Sequence, residues 1–397
     1  MIRTRKWKFI FLTTVVLAGL VGCVLSTAQG TGALAHGERL ERMQESSQWD
    51  KLEERFTNVL PRVRLSSFEA TWDFFFAGSA TREPETPPKV TQRRAQDFSE
   101  LPTSGLRVTW FGHSTMLLEL DGTRTLIDPM WSERASPFTW AGPKRFYAPP
   151  LALQDLPPLD AVIISHDHYD HLDSETVKSL ASHVPLWLAP LGVGAHLNKW
   201  GIPDEKIVEL DWWESHSIGE VKLTATPSRH FSGRSVTFGD QNATLWAGWA
   251  WTGPTHRAFY SGDTALHQEF STIGEKLGPF DLTMIEAGAY NQGWADVHLG
   301  PEQAVLAHQL VRGKVMLPVH WGLFNLALHG WTEPAERILV AAQKLDVDTV
   351  FLDPGASFDI ANAPSISRWW PDLPWESVEE APAWSSSVGN LQAPLRN

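Results

Sequence analysis

The nonapeptide "SHDHYDHLD", residues 165–173, places three histidines and three aspartates in nine positions. A solvated surface takes its charge from Lys and Glu, so this mixture points to metal ligation. Neutral imidazole suits zinc, and a carboxylate is a compatible companion. His166 and His168 stand two apart, and Asp170 and His171 follow at once. A tight loop can direct the first pair to one ion and the second pair to a neighbouring ion. Two ions need more ligands than one loop provides. His230 after "KLTATPSR", Asp263 after "RAFYSG" and His320 after "KVMLPV" each close an apolar run. Taken singly, each could be a satisfied buried histidine or a turn aspartate. Their shared placement at strand ends, beside so dense a cluster, argues for one site.

Such a site requires strands that end at a common edge. "LDAVIIS" (159–165) is a continuous apolar run of the kind a strand covered on both faces shows. "LRVTWFGHSTMLLELDGTRTLIDP" (106–129) reads as two strands joined at Asp121-Gly122, a strong hairpin signal. "PLWLAP", "KIVELDWW", "VKLTATPS", "TLWAGWAWTG", "LTMIEAG" and "TVFLDPG" supply further strands. Asp173 or Ser174 can cap the helix "SETVKSLASH", and "GPEQAVLAHQLVR" and "EPAERILVAAQKL" are helices between later strands. The order is α/β, with two runs of strands and no short internal repeat.

Upstream, Leu40, Met43, Trp49, Leu52 and Phe56 recur at helical spacing and predict a helix over 38–59. "REPETPPKVTQ" (82–92) reads as an exposed connector. The expected division is 1–23 signal, 24–104 tether and N-terminal helical extension, 105–360 hydrolase domain, and 361–397 irregular tail.

The ligand pattern His166-x-His168-x-Asp170-His171, then His230, Asp263 and His320, resembles the metallo-β-lactamase fold hydrolases in type and order. That resemblance implies an αββα sandwich with two metal ions at one edge of its sheets. It assigns His166, His168 and His230 to one zinc and Asp170, His171 and His320 to the other, with Asp263 bridging. "WFGHSTMLLELDGTRTLIDPMWSERASPF", "GPKRF" and "VHWGLFNLALH" narrow the resemblance over about residues 105–355. The branch is that of N-acyl-phosphatidylethanolamine-hydrolysing phospholipase D and RomA-like outer-membrane proteins. Asp128 in "TLIDP" is then expected to orient a metal-bound histidine, and His113 to line the pocket. His298, before the helix at 301, is expected to face substrate, with the helix's N-terminal amides helping to bind phosphate. Arg145 and His329 are weaker candidates, an Arg being more often a surface charge.

Two zinc ions can hold a bridging hydroxide at neutral pH, oriented by Asp170 or Asp263, and counter the charge that builds on a phosphoryl or acyl oxygen. Iron or manganese would suit the same donors. The chemistry is metal-assisted hydrolysis. A phosphodiester of the phospholipase D type is the leading substrate, and a lactone or carboxylic ester the alternative. A non-catalytic envelope lipoprotein is the third reading, but a purely structural zinc site is usually closed by four ligands.

The N-terminus addresses location. "MIRTRKWK" is basic and "FIFLTTVVLAGLVG" is apolar and uncharged, which is the pattern of an export signal. Leu20-Val21-Gly22-Cys23 resembles a bacterial lipoprotein signal box, with an uncleaved anchor or plain secretion as alternatives. Cys23 is the one cysteine of the chain, so it forms no internal disulfide. By resemblance to lipoprotein sorting rules, Val24 in place of Asp implies an outer-membrane lipoprotein facing the periplasm. The net charge of -13 argues against a nucleic-acid partner. With 397 residues and a 43% hydrophobic share there is ample material for a large core. Most of the 20 tryptophans should pack in it or at its rim, though Trp also favours membrane interfaces.

Overall fold

The computed structural model describes residues 30–62, 78–237, 239–362 and 368–396. The expected signal with Cys23, and the tether up to residue 29, lie outside the described residues. The N-terminal segment opens with helix α1 (Glu38–Gln44). A small hairpin of β1 (Trp49–Asp50) and β2 (Arg55–Phe56) follows, with Trp49 opposite Phe56. The helix predicted to run to residue 59 therefore stops at Gln44. Beyond it, Ser46 Oγ accepts from Gln48 N, and Asp50 Oδ1 accepts from Leu52 N and Glu53 N. These local bonds offer the backbone an alternative to the helical ladder.

The first large sheet begins with β3 (Leu106–Gly112), β4 (Thr115–Leu120) and β5 (Thr123–Ile127), all antiparallel. It continues in parallel through β6 (Ala161–Ile163), β7 (Trp187–Pro190) and β8 (Ile207–Leu210). Helices α2 (Ser174–Leu180) and α3 (Gly194–Lys199) form its crossovers. The second sheet repeats the plan. β9 (Ser215–Ile218), β10 (Val221–Thr226), β11 (Gly248–Thr252) and β12 (Arg257–Tyr260) are antiparallel. β13 (Phe280–Glu286), β14 (Gly313–Val319) and β15 (Asp348–Thr349) extend it in parallel. Helices α4 (Glu269–Lys276), α5 (Pro301–Leu310) and α6 (Glu333–Leu345) connect them. β16 (Ser357–Asp359) returns to the first sheet beside β3, and a last turn, α7 (Ala393–Arg396), ends the described chain. Each large sheet has seven strands.

Side-chain alternation explains the layering. Met116, Leu118, Ile163 and Leu188 point between the sheets, where they meet Leu223, Trp249, Tyr260 and Met284. Their neighbours Leu117, Val162 and Trp187 point outward, onto Val177 and Leu180 of α2 and Leu197 of α3. Strands buried on both faces read as unbroken apolar runs, as "LDAVIIS" does. Helices α4, α5 and α6 bury Ile273, Val305 and Ile338 against the second sheet. The result is the expected α/β class, an αββα sandwich.

The stretch 106–129 forms three strands where two are predicted. The extra break falls at Gly112 and His113, with φ of 114° and 52°. A Cβ on Gly112 would lie 2.2 Å from Tyr147 Oη, so glycine is needed there. Asp121-Gly122 forms the expected tight turn, both residues at positive φ. Of "TVFLDPG", Thr349 alone is in a strand. Among the described residues no helix is long and apolar enough to cross a membrane.

Candidate metal centre

The C-terminal ends of β5, β6, β12, β13 and β14 meet at one edge of the sandwich, where ligand sites of open α/β sheets occur. The loop after β6 carries His166, His168, Asp170 and His171, and the loop after β10 carries His230. Asp263 follows β12, Glu286 ends β13 and His320 follows β14. Asp128 follows β5, and the β3–β4 turn contributes His113. His320, His113 and Asp128 hold φ of 66°, 52° and 40°. Non-glycine residues there cost about 1–3 kcal/mol each and cluster at functional sites.

Two sets of donors result, sharing Asp263. In one set, His168 Nδ1 lies 2.9 Å from His166 Nε2 and 3.2 Å from His230 Nε2. Asp263 Oδ2 lies 3.8 and 3.7 Å from those same Nε2 atoms of His166 and His230. In the other, Asp170 Oδ2 is 3.2 Å from His171 Nε2 and 3.3 Å from His320 Nε2. Asp263 reaches the same two nitrogens at 3.2 Å through Oδ1 and 3.1 Å through Oδ2. Two ligands on a tetrahedral zinc, with bonds of about 2.0–2.1 Å, stand about 3.3 Å apart. The spacing suits that geometry.

The hydrogens point the same way. His230 Nδ1 donates to Val297 O at 2.7 Å, and His171 Nδ1 donates to Asp128 Oδ2 at 2.8 Å. Ser165 Oγ gives its hydrogen to Asp128 Oδ2 at 2.6 Å, so His166 Nδ1 donates to Ser165 Oγ at 3.0 Å. Each committed Nδ1 leaves an Nε2 lone pair facing inward in the neutral ring. His171 Nε2 and Asp263 Oδ1 are buried with no hydrogen-bond partner among the described residues. Converging lone pairs and orphaned donor atoms fit a divalent cation. Proton affinities agree. Burial opposes ionisation of Asp170 and Asp263, yet the histidines around them, His171 foremost, hold both well below the usual carboxylate range. Burial, then the neighbouring histidines, holds His166 and His230 well below the usual imidazole range.

The structure brings all seven expected ligand residues together. Asp128 is fully buried and also accepts from Ser165 N at 2.7 Å and Tyr260 Oη at 2.7 Å, so it braces His166 and His171 together. His113 is buried beside the second set, with Nε2 2.8 Å from Asp170 Oδ2. His298 stands at the rim, its ring 5.0 Å from that of His230.

The start of α5 offers fewer amides to a phosphate than the sequence suggests. Pro301 has no N–H, Gly300 N donates to Gln303 Oε1, and Leu299 N donates to Glu286 Oε1. The amides of Leu299 and Gly300, just before α5, are thus already engaged. Glu286 is the residue sequence reasoning passed over. It is fully buried; its Oε1 also accepts from Thr264 N at 2.9 Å, and its Oε2 lies 3.0 Å from His298 Nδ1. One carboxylate thereby fixes the residues following Asp263 and His298. Its signal was a charged side chain ending the apolar run "LTMIE". Asp173 caps α2 and accepts from Ser132 N and Oγ, and Tyr169 donates to Arg234 O, as loop shapers do. Arg145 is a buried clip, donating to the carbonyls of Trp131 and Tyr147, and is no surface charge. His329 stacks on Tyr290 and accepts from Ala289 N.

The sequence model of a family described as the beta-lactamase superfamily domain matches residues 123–321. Over 272 residues the chain is 50% identical to an uncharacterised protein of Mycobacterium tuberculosis, covering 67% of this chain and 72% of that one. Over 273 residues it is 40% identical to N-acyl-phosphatidylethanolamine-hydrolyzing phospholipase D 1 of Caenorhabditis elegans, covering 65% and 76%. Among solved structures, an isothiocyanate hydrolase from Delia radicum gut bacteria matches with a TM-score of 0.51 at 20% identity. That match covers 64% of this chain and 98% of the other, and shows a shared fold.

Proposed function

Since the chain belongs to the metallo-β-lactamase superfamily and is a metal-dependent hydrolase of that fold, we propose that it is a two-metal phosphodiesterase. Its substrate class is phospholipids of the N-acyl-phosphatidylethanolamine type. The observation that carries the two-metal reading is the pair of donor sets, with Asp263 3.1–3.8 Å from histidines of both. His166, His168 and His230 would hold one zinc and Asp170, His171 and His320 the other, with Asp263 within reach of both. Iron and manganese are the alternatives these donors accept. The 40% identity to the nematode phospholipase D supports the choice of bond.

Bound divalent ions would bring the pKa of a coordinated water down to about 7 and counter charge on the phosphoryl oxygens. The chain's residues do the rest. Asp170 and Asp263 orient the attacking water. His298, held at Nδ1 by Glu286, faces the leaving alcohol and relays to it the proton that the attacking water gives up. The phosphorus–oxygen bond to that alcohol breaks, giving phosphatidic acid and a free N-acylethanolamine. A cavity of about 700 Å³ lined by Tyr290, Leu328, His329, Trp375 and Pro382 is large enough for part of an acyl chain. His329 also lines a smaller pocket bounded by His113 and His320.

The test is a panel of N-acyl-phosphatidylethanolamine, aryl phosphodiesters and lactones offered to zinc-loaded protein. Phosphatidic acid should appear. Lactone turnover without any phosphodiester cleavage would replace this reading with that of a carboxylic-ester hydrolase.

Location is part of the proposal. The box ending at Cys23 supports acylation there and residence in the bacterial outer membrane, facing the periplasm, beside a lipid substrate. Metabolic labelling with a tagged fatty acid should mark the wild-type chain and leave Cys23→Ala unlabelled. Equal labelling of both would remove the lipid anchor from the account.

A further inference from the structure

The segment that precedes the superfamily domain does more than connect it to the N-terminus. The side chain of Asn58 brackets the backbone of His230: Oδ1 accepts from His230 N at 3.0 Å, and Nδ2 donates to His230 O at 2.7 Å. The flanking residues are held by the same segment. Arg229 Nη2 donates to Pro61 O at 2.5 Å, and the Arg62 guanidinium lies 5.0 Å from the Phe231 ring centre. The hairpin below is pinned in turn, since Phe56 N donates to Asn242 O and Asn242 Nδ2 donates to Phe56 O. His230 lies beyond the end of β10, where no strand ladder engages its backbone. Its buried amide and carbonyl therefore rely on Asn58, and buried backbone groups are costly to leave unpaired.

A second contact reaches the histidine loop. Ala33 N donates to His196 Nδ1 at 3.0 Å, which places the ring hydrogen on Nε2, 3.3 Å from Asp167 Oδ2. Asp167 sits between His166 and His168. Arg234 donates to Gly30 O at 2.8 Å, and its Nη1 donates to the carbonyls of Asp167 and Leu172. The bracing of the other donor set is different in origin. His171 leans on Asp128, Asp170 on His113, and His320 N donates to His113 O at 2.9 Å. None of those partners lies in the N-terminal segment.

We propose that residues 30–62 are a clamp that sets the geometry of the His166, His168 and His230 half-site, with Asn58 as its positioning residue. The inference rests on the ligand assignment proposed above. One half of the centre is thus braced by residues 30–62, and the other half by His113 and Asp128 of the sandwich. Loss of the clamp should weaken one metal ion and spare the other.

Zinc titration of the chelator-stripped full chain, read by calorimetry, tests this together with the visible spectrum of the cobalt-substituted protein. Asn58→Ala should weaken one of two binding steps by about 10–100-fold, the range seen when a ligand's outer partner is lost, and alter the cobalt bands. The second step should stay within about twofold of wild type. Asn58→Asp keeps the acceptor for His230 N and should fall between them. Leu52→Ser, at a side chain 95% exposed in the same hairpin, should change nothing. Unchanged binding steps and cobalt bands in Asn58→Ala would overturn the clamp, whatever the melting temperature does. Should that variant fail to fold, Asn58→Asp is judged by the same criterion. A wild-type chain that binds fewer than two ions would instead refute the ligand assignment itself.

Discussion

Asp263→Asn is expected to abolish hydrolysis and leave the fold in place. The Asp263 carboxylate lies within reach of both donor sets, at 3.1–3.2 Å from His320 and His171 and 3.7–3.8 Å from His230 and His166. An amide keeps the volume but gives up the negative charge and one ligating oxygen. The charge stabilisation at stake is several kcal/mol, so kcat/KM should fall by about a thousandfold or more. The surrounding layers are apolar and do not depend on this side chain, so circular dichroism and cooperative unfolding should persist. Wild-type turnover in this variant would show that Asp263 does not bridge.

Chelation is expected to be as damaging, and zinc re-addition should release protons. In the metal-free site, burial opposes the cationic form of His171 and His320. Asp263 and Asp170 nevertheless hold His171 well above the usual imidazole range, and His320 is pushed up to about 10. Both rings are therefore cationic at neutral pH, and ligation requires their lone pairs. Zinc binding at pH 7 should release about two protons, countable by calorimetry in buffers of different ionisation enthalpy. Binding without proton release would contradict the assignment.

The same linkage shapes the stability of the chelated protein. The raised pKa of His320 contributes stability that is fully present below its ordinary 6.5 and lost as pH rises through about 10. The depressed Asp170 and Asp263 contribute above their ordinary 3.8, and that contribution is lost further into acid. His113, lowered to about 4 by burial and then by His320, disfavours the folded state as pH falls from 6.5 towards 4. Urea midpoints of the stripped protein should therefore peak near pH 6.5, falling towards pH 10 as His320 gives up its contribution and towards pH 4 as His113 works against the fold.

The seven residues that gather at the edge were legible because they are chemically distinctive and close apolar runs, and strand ends are where a sandwich gathers its side chains. Asp128 was legible for the same reason. Glu286 was not, since a carboxylate buried at the end of β13 looks like any strand residue until Thr264, Leu299 and His298 are seen around it. Asn58 lies 172 positions from His230, and nothing local marks that pairing. The helix expected over 38–59 kept its periodicity in the apolar residues, but Ser46 and Asp50 redirected the backbone between them. The phosphate site expected at the start of α5 ignored Pro301 and the internal bond from Gly300 N to Gln303. Motif chemistry thus survives translation into structure better than the partners that brace it, because those partners are set by tertiary contacts.

The most direct test of the central claim is hydrolysis of N-acyl-phosphatidylethanolamine by the zinc-loaded chain in heavy-oxygen water, with mass analysis of the products. Attack at phosphorus predicts the label in phosphatidic acid and none in the released N-acylethanolamine. Label in a free fatty acid, with no phosphatidic acid formed, would mean that the centre cleaves an acyl bond and would contradict the phosphodiesterase reading.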